Sequence, residues 1–184
     1  GCILDASNGP IILGKNVTIE AGSILKGPLF IDKNSIISNG SKLKGNILIG
    51  PNCKVGGEIV NTIFHGYSNK VHDGFLGDSY IGEWVNLGAN TNNSNLKNNY
   101  SDVKFSFGTN IVNSNKTFLG TMIGDFSRIS IATSINTGTF IGIGSTKGNN
   151  GDGMDLGEWD NYVSFMNQTT IRQAISLLKW SKFH

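Results

Sequence analysis

His72 sits in "NKVHDGFLGD" with Lys70, Asp73 and Asp78 nearby, polar neighbours that keep an imidazole hydrated. A neutral imidazole in that setting can take a proton from an amine near pH 7. Glu58 lies fourteen positions earlier, a spacing that lets a carboxylate approach from an adjacent layer of structure and orient the ring. Asn86, Asn90, Asn92, Asn93 and Asn95 follow, and each amide offers donors and an acceptor suited to a sugar's hydroxyls. Lys97 and Lys104 carry charge that can neutralise a phosphate. Each has a plainer role as well: a surface histidine, a solvated turn acid, corner asparagines and hydrated lysines. His65, His72 and His184 are the three histidines, and a catalytic zinc takes three protein ligands and an open position. With one of the three at the terminus, no metal is expected.

Any such chemistry has to be positioned by the repeat that surrounds it. Leu13, Ile19, Leu25, Ile31, Ile37, Leu43, Ile49 and Val55 are spaced by six, and all are aliphatic. Four residues after each stand Val17, Ser23, Leu29, Ser35, Ser41, Ile47, Cys53 and Ile59, mostly small or β-branched. Neither a helix nor an ordinary strand keeps a six-residue beat. Hexapeptide repeats build β-helices, three hexads to a triangular coil of about 18 residues, with coils stacked about 4.8 Å apart. The expected fold is all-β, a left-handed parallel β-helix over residues 1–147. The beat returns at Phe75, Ile81 and Leu87 and again at Ile123, Ile129, Ile135 and Ile141, giving about five coils.

Two segments break the beat. Asn61 to Gly74 shifts its phase by two residues and reads as a bulge out of the lattice. Asn92 to Thr117 is polar and Asn-rich and reads as a protruding loop, of a length that is usually functional. Residues 148–184 read as a Gly/Asp-rich connection followed by a C-terminal α-helix, with Ile171, Ala174, Ile175 and Leu178 at helical spacing and Thr169 or Thr170 as N-cap. That helix would cap the open end of the prism.

Composition narrows the function. Charged residues make up 15% of 184 and the net charge is +2, so no strong field argues for nucleic acid or an anionic membrane. Cys2 and Cys53 are too few for a disulfide framework. No apolar run reaches the roughly 18 residues of a membrane span. A reducing cytoplasmic setting is the expectation. The sequence starts at Gly1 without Met, which suggests the C-terminal piece of a longer chain.

The run "KVHDGFLGDSYIGEWVNLGANTNNSN", with "IGPNCKVGGE", "GYSNK" and "INTGT", resembles the acetyltransferase half of the bacterial bifunctional enzyme that makes UDP-N-acetylglucosamine. It also resembles the archaeal sugar-1-phosphate counterparts. The resemblance implies an N-acetyltransferase acting on an amino-sugar 1-phosphate with acetyl-CoA, in a trimer whose sites lie between subunits. His72 falls on the general base and Glu58 on the acid that polarises it. Ala89 falls on the residue whose N–H faces the thioester oxygen, and Asn86 and Asn95 on substrate-binding asparagines. Lys104 falls on a basic loop residue. The departures are specific: Phe75 replaces a substrate-contacting Tyr, Val60 a phosphate-binding Lys, Lys42 an Arg and Ile131 a serine lining the CoA groove. The nucleotidyltransferase half of that enzyme is absent from this sequence. Two other readings stand beside this one, a non-catalytic β-helix that trimerises and regulates a nucleotidyltransferase, and a γ-type carbonic anhydrase-like metalloenzyme.

Overall fold

Very short strands end where one residue enters the left-handed region and turns the chain. Asn16, Asn34 and Asn52 do this at one edge, and Gly22 and Gly40 at another. Asn and Gly occupy that conformation at least cost. The computed structural model describes residues 1–107 and 109–147, and three parallel sheets run through it as the faces of a prism. The first face holds Ile3–Asp5, Ile24–Lys26, Lys42–Lys44, Glu58–Val60 and Phe75–Gly77, and continues into Asn92–Asn93 and Ser134–Ile135. The second face has seven strands from Ile11–Leu13 to Phe140–Ile141, and the third has seven from Thr18–Ile19 to Thr146–Lys147. This is the left-handed parallel β-helix that the beat predicts.

Inward columns fill the prism: Leu25, Leu43, Ile59 and Leu76 from the first face, and Ile31, Ile49, Phe64, Ile81, Ile123 and Ile141 from the second. Each full burial of such a side chain is worth about 1.5–3 kcal/mol. Buried hydroxyls close the corners. Ser68 donates to the Gly82 carbonyl at 2.8 Å and Ser23 to that of Ser38 at 3.0 Å, so main-chain groups at the bends stay paired.

The segment 61–74 does not bulge. It is a coil within the lattice, with Asn69 beside Lys54 fifteen positions back, whereas Lys54 stands eighteen after Ile36. Most of the phase shift arises at a shortened corner. Only Gly56 and Gly57 separate Val55 from Glu58, whereas Ser38 to Ser41 separate Ile37 from Lys42. No side chain fits there, since a Cβ on Gly56 would lie 2.0 Å from the Val71 carbonyl oxygen. Because this segment and the N-terminal strand both join the stack, there are more coils than the five the beat suggests.

Residues 92–117 start inside the lattice and then form an antiparallel hairpin, Lys104–Phe107 with Asn110–Asn113. The hairpin is not wholly polar. Val103 and Phe105 are buried against Ile63, Leu119 and Met122, with Tyr80 and Phe140 at the margin. The outward column of the second face is apolar here, and alternation along the hairpin strand supplies its cover. Among the described residues no helix is long and apolar enough to cross a membrane. The C-terminal helix and its connection, 148–184, lie outside the described residues.

Candidate functional site

The corner between the third and first faces carries His72, Ala89 and Ile131 in successive coils. Leu87 pairs with Ile129 just before that corner, and Gly88 packs against the backbone of Ile131. His72 is exposed and its imidazole makes no hydrogen bond among the described residues. The Ala89 carbonyl accepts from the Ala132 N–H at 2.7 Å, while its own N–H donates to no group among the described residues. Ile131 is 67% exposed, an apolar residue on the same edge.

From that corner the chain enters Phe75, which lies beside Glu58, which in turn lies beside Lys42. These three form one outward column on the first face. The Glu58 carboxylate accepts from Lys44 Nζ at 2.9 Å, and no hydrogen bond joins it to His72 among the described residues. Val60 occupies the next outward column, between Lys44 and Gly77. The Phe75 ring and the Asn95 amide both close over Gly77, where an added Cβ would come within 2.5 Å of the ring and 2.9 Å of the amide nitrogen. Asn95 donates to Asp78 Oδ2 at 2.7 Å, and Asn61 donates to Asp78 Oδ1 at 3.2 Å. Asp78 is itself 7% exposed, so a nearly buried carboxylate sets the direction of the Asn95 amide.

The remaining candidates stand elsewhere. Asn86 is outward on the third face, between Asn69 and Arg128. The Lys104 carbonyl packs beside Gly138, at the corner between the first and second faces. His65 pairs with Glu83, Nδ1 to Oε1 at 3.2 Å. Among the described residues no three His, Cys, Asp or Glu side chains are grouped to hold a metal ion.

Two residues of this region escape a reading of the sequence alone. Asp78 orients Asn95 but looks like an ordinary acid in "LGDS". Lys70 lies in the inward column of the third face, beside Val55, and is fully buried. The signal for it was present: Phe64, Lys70 and Leu76 keep the six-residue step once the shortened corner is allowed for.

No family model and no curated protein matches the chain. Among solved structures, a hexapeptide transferase family protein from Anaplasma phagocytophilum is 14% identical, with 97% of this chain and 87% of that chain covered and a TM-score of 0.26.

Proposed function

We propose that this β-helix is an N-acetyltransferase that acetylates an amino-sugar 1-phosphate, of the glucosamine-1-phosphate type, from acetyl-CoA in nucleotide-sugar biosynthesis. The observation that carries it is the continuity of the site: His72 stands on the corner leading into Phe75, and Phe75, Glu58 and Lys42 follow in one outward column. In this reading the His72 imidazole takes a proton from the sugar amine as its nitrogen bonds to the thioester carbonyl carbon. The carbon–sulfur bond breaks and the thiolate leaves. The free Ala89 N–H, one coil on, would donate to the carbonyl oxygen as it gains charge. Phe75 and Asn95 would form a floor for the sugar, Asn86 would add an amide from the third face, and Ile131 would meet the CoA side of the groove.

Assembly as a trimer belongs to the same proposal. The outward column Ile12, Phe30 and Leu48 on the second face is apolar and exposed. Lys104 starts its hairpin at a different corner from His72, so its proposed phosphate is one held by a neighbouring copy.

A thiol-release assay with acetyl-CoA and a panel of amino-sugar phosphates tests the function. His72→Ala should lower turnover by roughly 10²–10⁴-fold with the fold intact, and His65→Ala should do little. Equal turnover in His72→Ala and wild type would end this reading. A second reading, a non-catalytic β-helix that trimerises and regulates a nucleotidyltransferase, draws on the engagement of Glu58 by Lys44 rather than by His72. It is the one left if no amino-sugar phosphate supports thiol release.

A further inference from the structure

Lys70 stands in the inward column of the third face, which runs Ile19, Ile37, Val55, Lys70, Leu87 and Ile129. The column reaches a second, only partly buried lysine, Lys147, at its last described strand. Lys70 is the lysine inside the stack, with Val55 and Leu87 as its neighbours. Its side chain is 0% exposed. Nζ donates to the His72 carbonyl oxygen at 2.8 Å and reaches that of Gly56 at 3.4 Å. Both acceptors belong to the corner that carries His72, in consecutive coils.

That corner needs help. Regular turns on this edge place their third residue in the left-handed region, as at Gly22, Gly40, Asn90 and Ala132. The turn Val71 to Gly74 does not: Asp73 is absent from the left-handed residues, and Gly74 has φ 127° instead. The coil before it contributes only Gly56 and Gly57, two residues facing a turn of four. Main-chain pairing therefore cannot repeat the regular pattern, and the buried amine supplies a donor to the turn.

We propose that Lys70 is a positioning residue for His72, its amine clamping the His72 carbonyl and so fixing where the imidazole stands on the corner. The functional meaning of this rests on the reading of His72 as the base. A leucine or methionine would fill the column without the desolvation that a buried amine suffers. That burial lowers the Lys70 pKa to about 8, against the pull of Asp73, the charged group that acts on it. Val55 and Leu87, on either side in the column, bring no charge.

The test uses the whole chain and Lys70→Met, which keeps a long apolar stem and removes the donors. Amide hydrogen exchange should speed up at least tenfold in 71–74, with exchange at Ile31 and Ile49 unchanged. The His72 imidazole resonances should shift. In the acetyl-transfer assay kcat should fall about tenfold while the KM for acetyl-CoA holds, and n-propylamine should partly restore kcat in Lys70→Ala. Unchanged exchange and resonances in Lys70→Met would overturn the proposal, and so would exchange that rises uniformly along the chain. A measurement on the unaltered protein guards against a variant that fails to fold. The His72 carbonyl carbon shift should follow the Lys70 amine titration with a shared inflection, and its absence would also overturn the proposal. If the turn loosens in Lys70→Met but wild type releases no thiol, the clamp stands and the acetyltransferase reading falls.

Discussion

The side-chain amide of Asn93 pairs with both main-chain groups of Gly77: Oδ1 accepts the N–H at 2.8 Å and Nδ2 donates to the carbonyl at 3.0 Å. Asn93 stands beside Ile135 in the inward column, a position held by Leu76 in the coil before. Its Nδ2 also donates to Ser79 Oγ at 3.1 Å. Side chain thus stands in for main chain where the hairpin excursion interrupts the first face. Asn93→Leu matches the column's chemistry but strands buried groups of Gly77. It should cost about 1–3 kcal/mol, visible as a lower midpoint in thermal or urea unfolding. A variant as stable as wild type would show that water or a neighbour replaces the amide.

Lys70 makes stability depend on pH in a window set by its own shift. Its pKa falls from the ordinary 10.5 to about 8, chiefly through burial. Below about pH 8 both states hold the proton and the folded state bears the full cost. Between about 8 and 10.5 the unfolded chain binds more protons, so raising pH favours folding. The gain totals roughly 3 kcal/mol at about 1.4 kcal/mol per unit. Burial also raises the pKa of Cys53 and Tyr80, which removes stability at the alkaline end. The measurement is therefore the difference between wild type and Lys70→Met, in which those contributions cancel. Lys70→Met should be relatively more stable at pH 7, and its advantage should shrink toward pH 10.5. A difference independent of pH would mean that Lys70 titrates alike in both states.

Phe30 and Leu48 lie side by side in the outward column of the second face, 37% and 41% exposed. If this column packs against neighbouring copies, a carboxylate there must be desolvated on assembly. Phe30→Asp with Leu48→Asp should then shift sedimentation from trimer to monomer at micromolar concentration, with the prism still folded. A wild type that sediments as a monomer removes the trimer.

Lys104 is exposed at the start of the hairpin. A charge-assisted contact from it to a sugar phosphate is worth roughly 1.5–3 kcal/mol. Lys104→Ala should weaken binding of the phosphorylated amino sugar about ten- to hundredfold and barely alter its unphosphorylated analogue. Titration of both ligands checks this, and equal losses would show that Lys104 does not read the phosphate.

The aliphatic beat from Leu25 to Val55 determines the prism by itself, because inward positions at every sixth residue satisfy a three-sided coil and no other regular structure. The first residues of that beat are the exception. Leu13 is inward by position yet 41% exposed, since no coil among the described residues covers it. What the beat could not give was register across the break. A shortened corner at Gly56 and Gly57 looks in sequence like a bulge that follows it, and only the pairing of Asn69 with Lys54 locates the lost residues. Burial of Lys70 follows from that register. A lysine read singly defaults to solvent, and the parity that turns it inward is a property of the whole stack. The hairpin at 104–113 was illegible for a related reason. Val103 and Phe105 are too few to mark a core, and their partners Ile63, Leu119 and Met122 are distant in sequence. Of the candidate site, residue types carried the chemistry of His72, Glu58 and Asn95. The structure alone decided their company: Glu58 bonded to Lys44, Asn95 aimed by Asp78, and the His72 carbonyl held by Lys70. Side-chain partners depend on which coil lies next, and that is fixed by corner lengths summed along the chain rather than by any local motif.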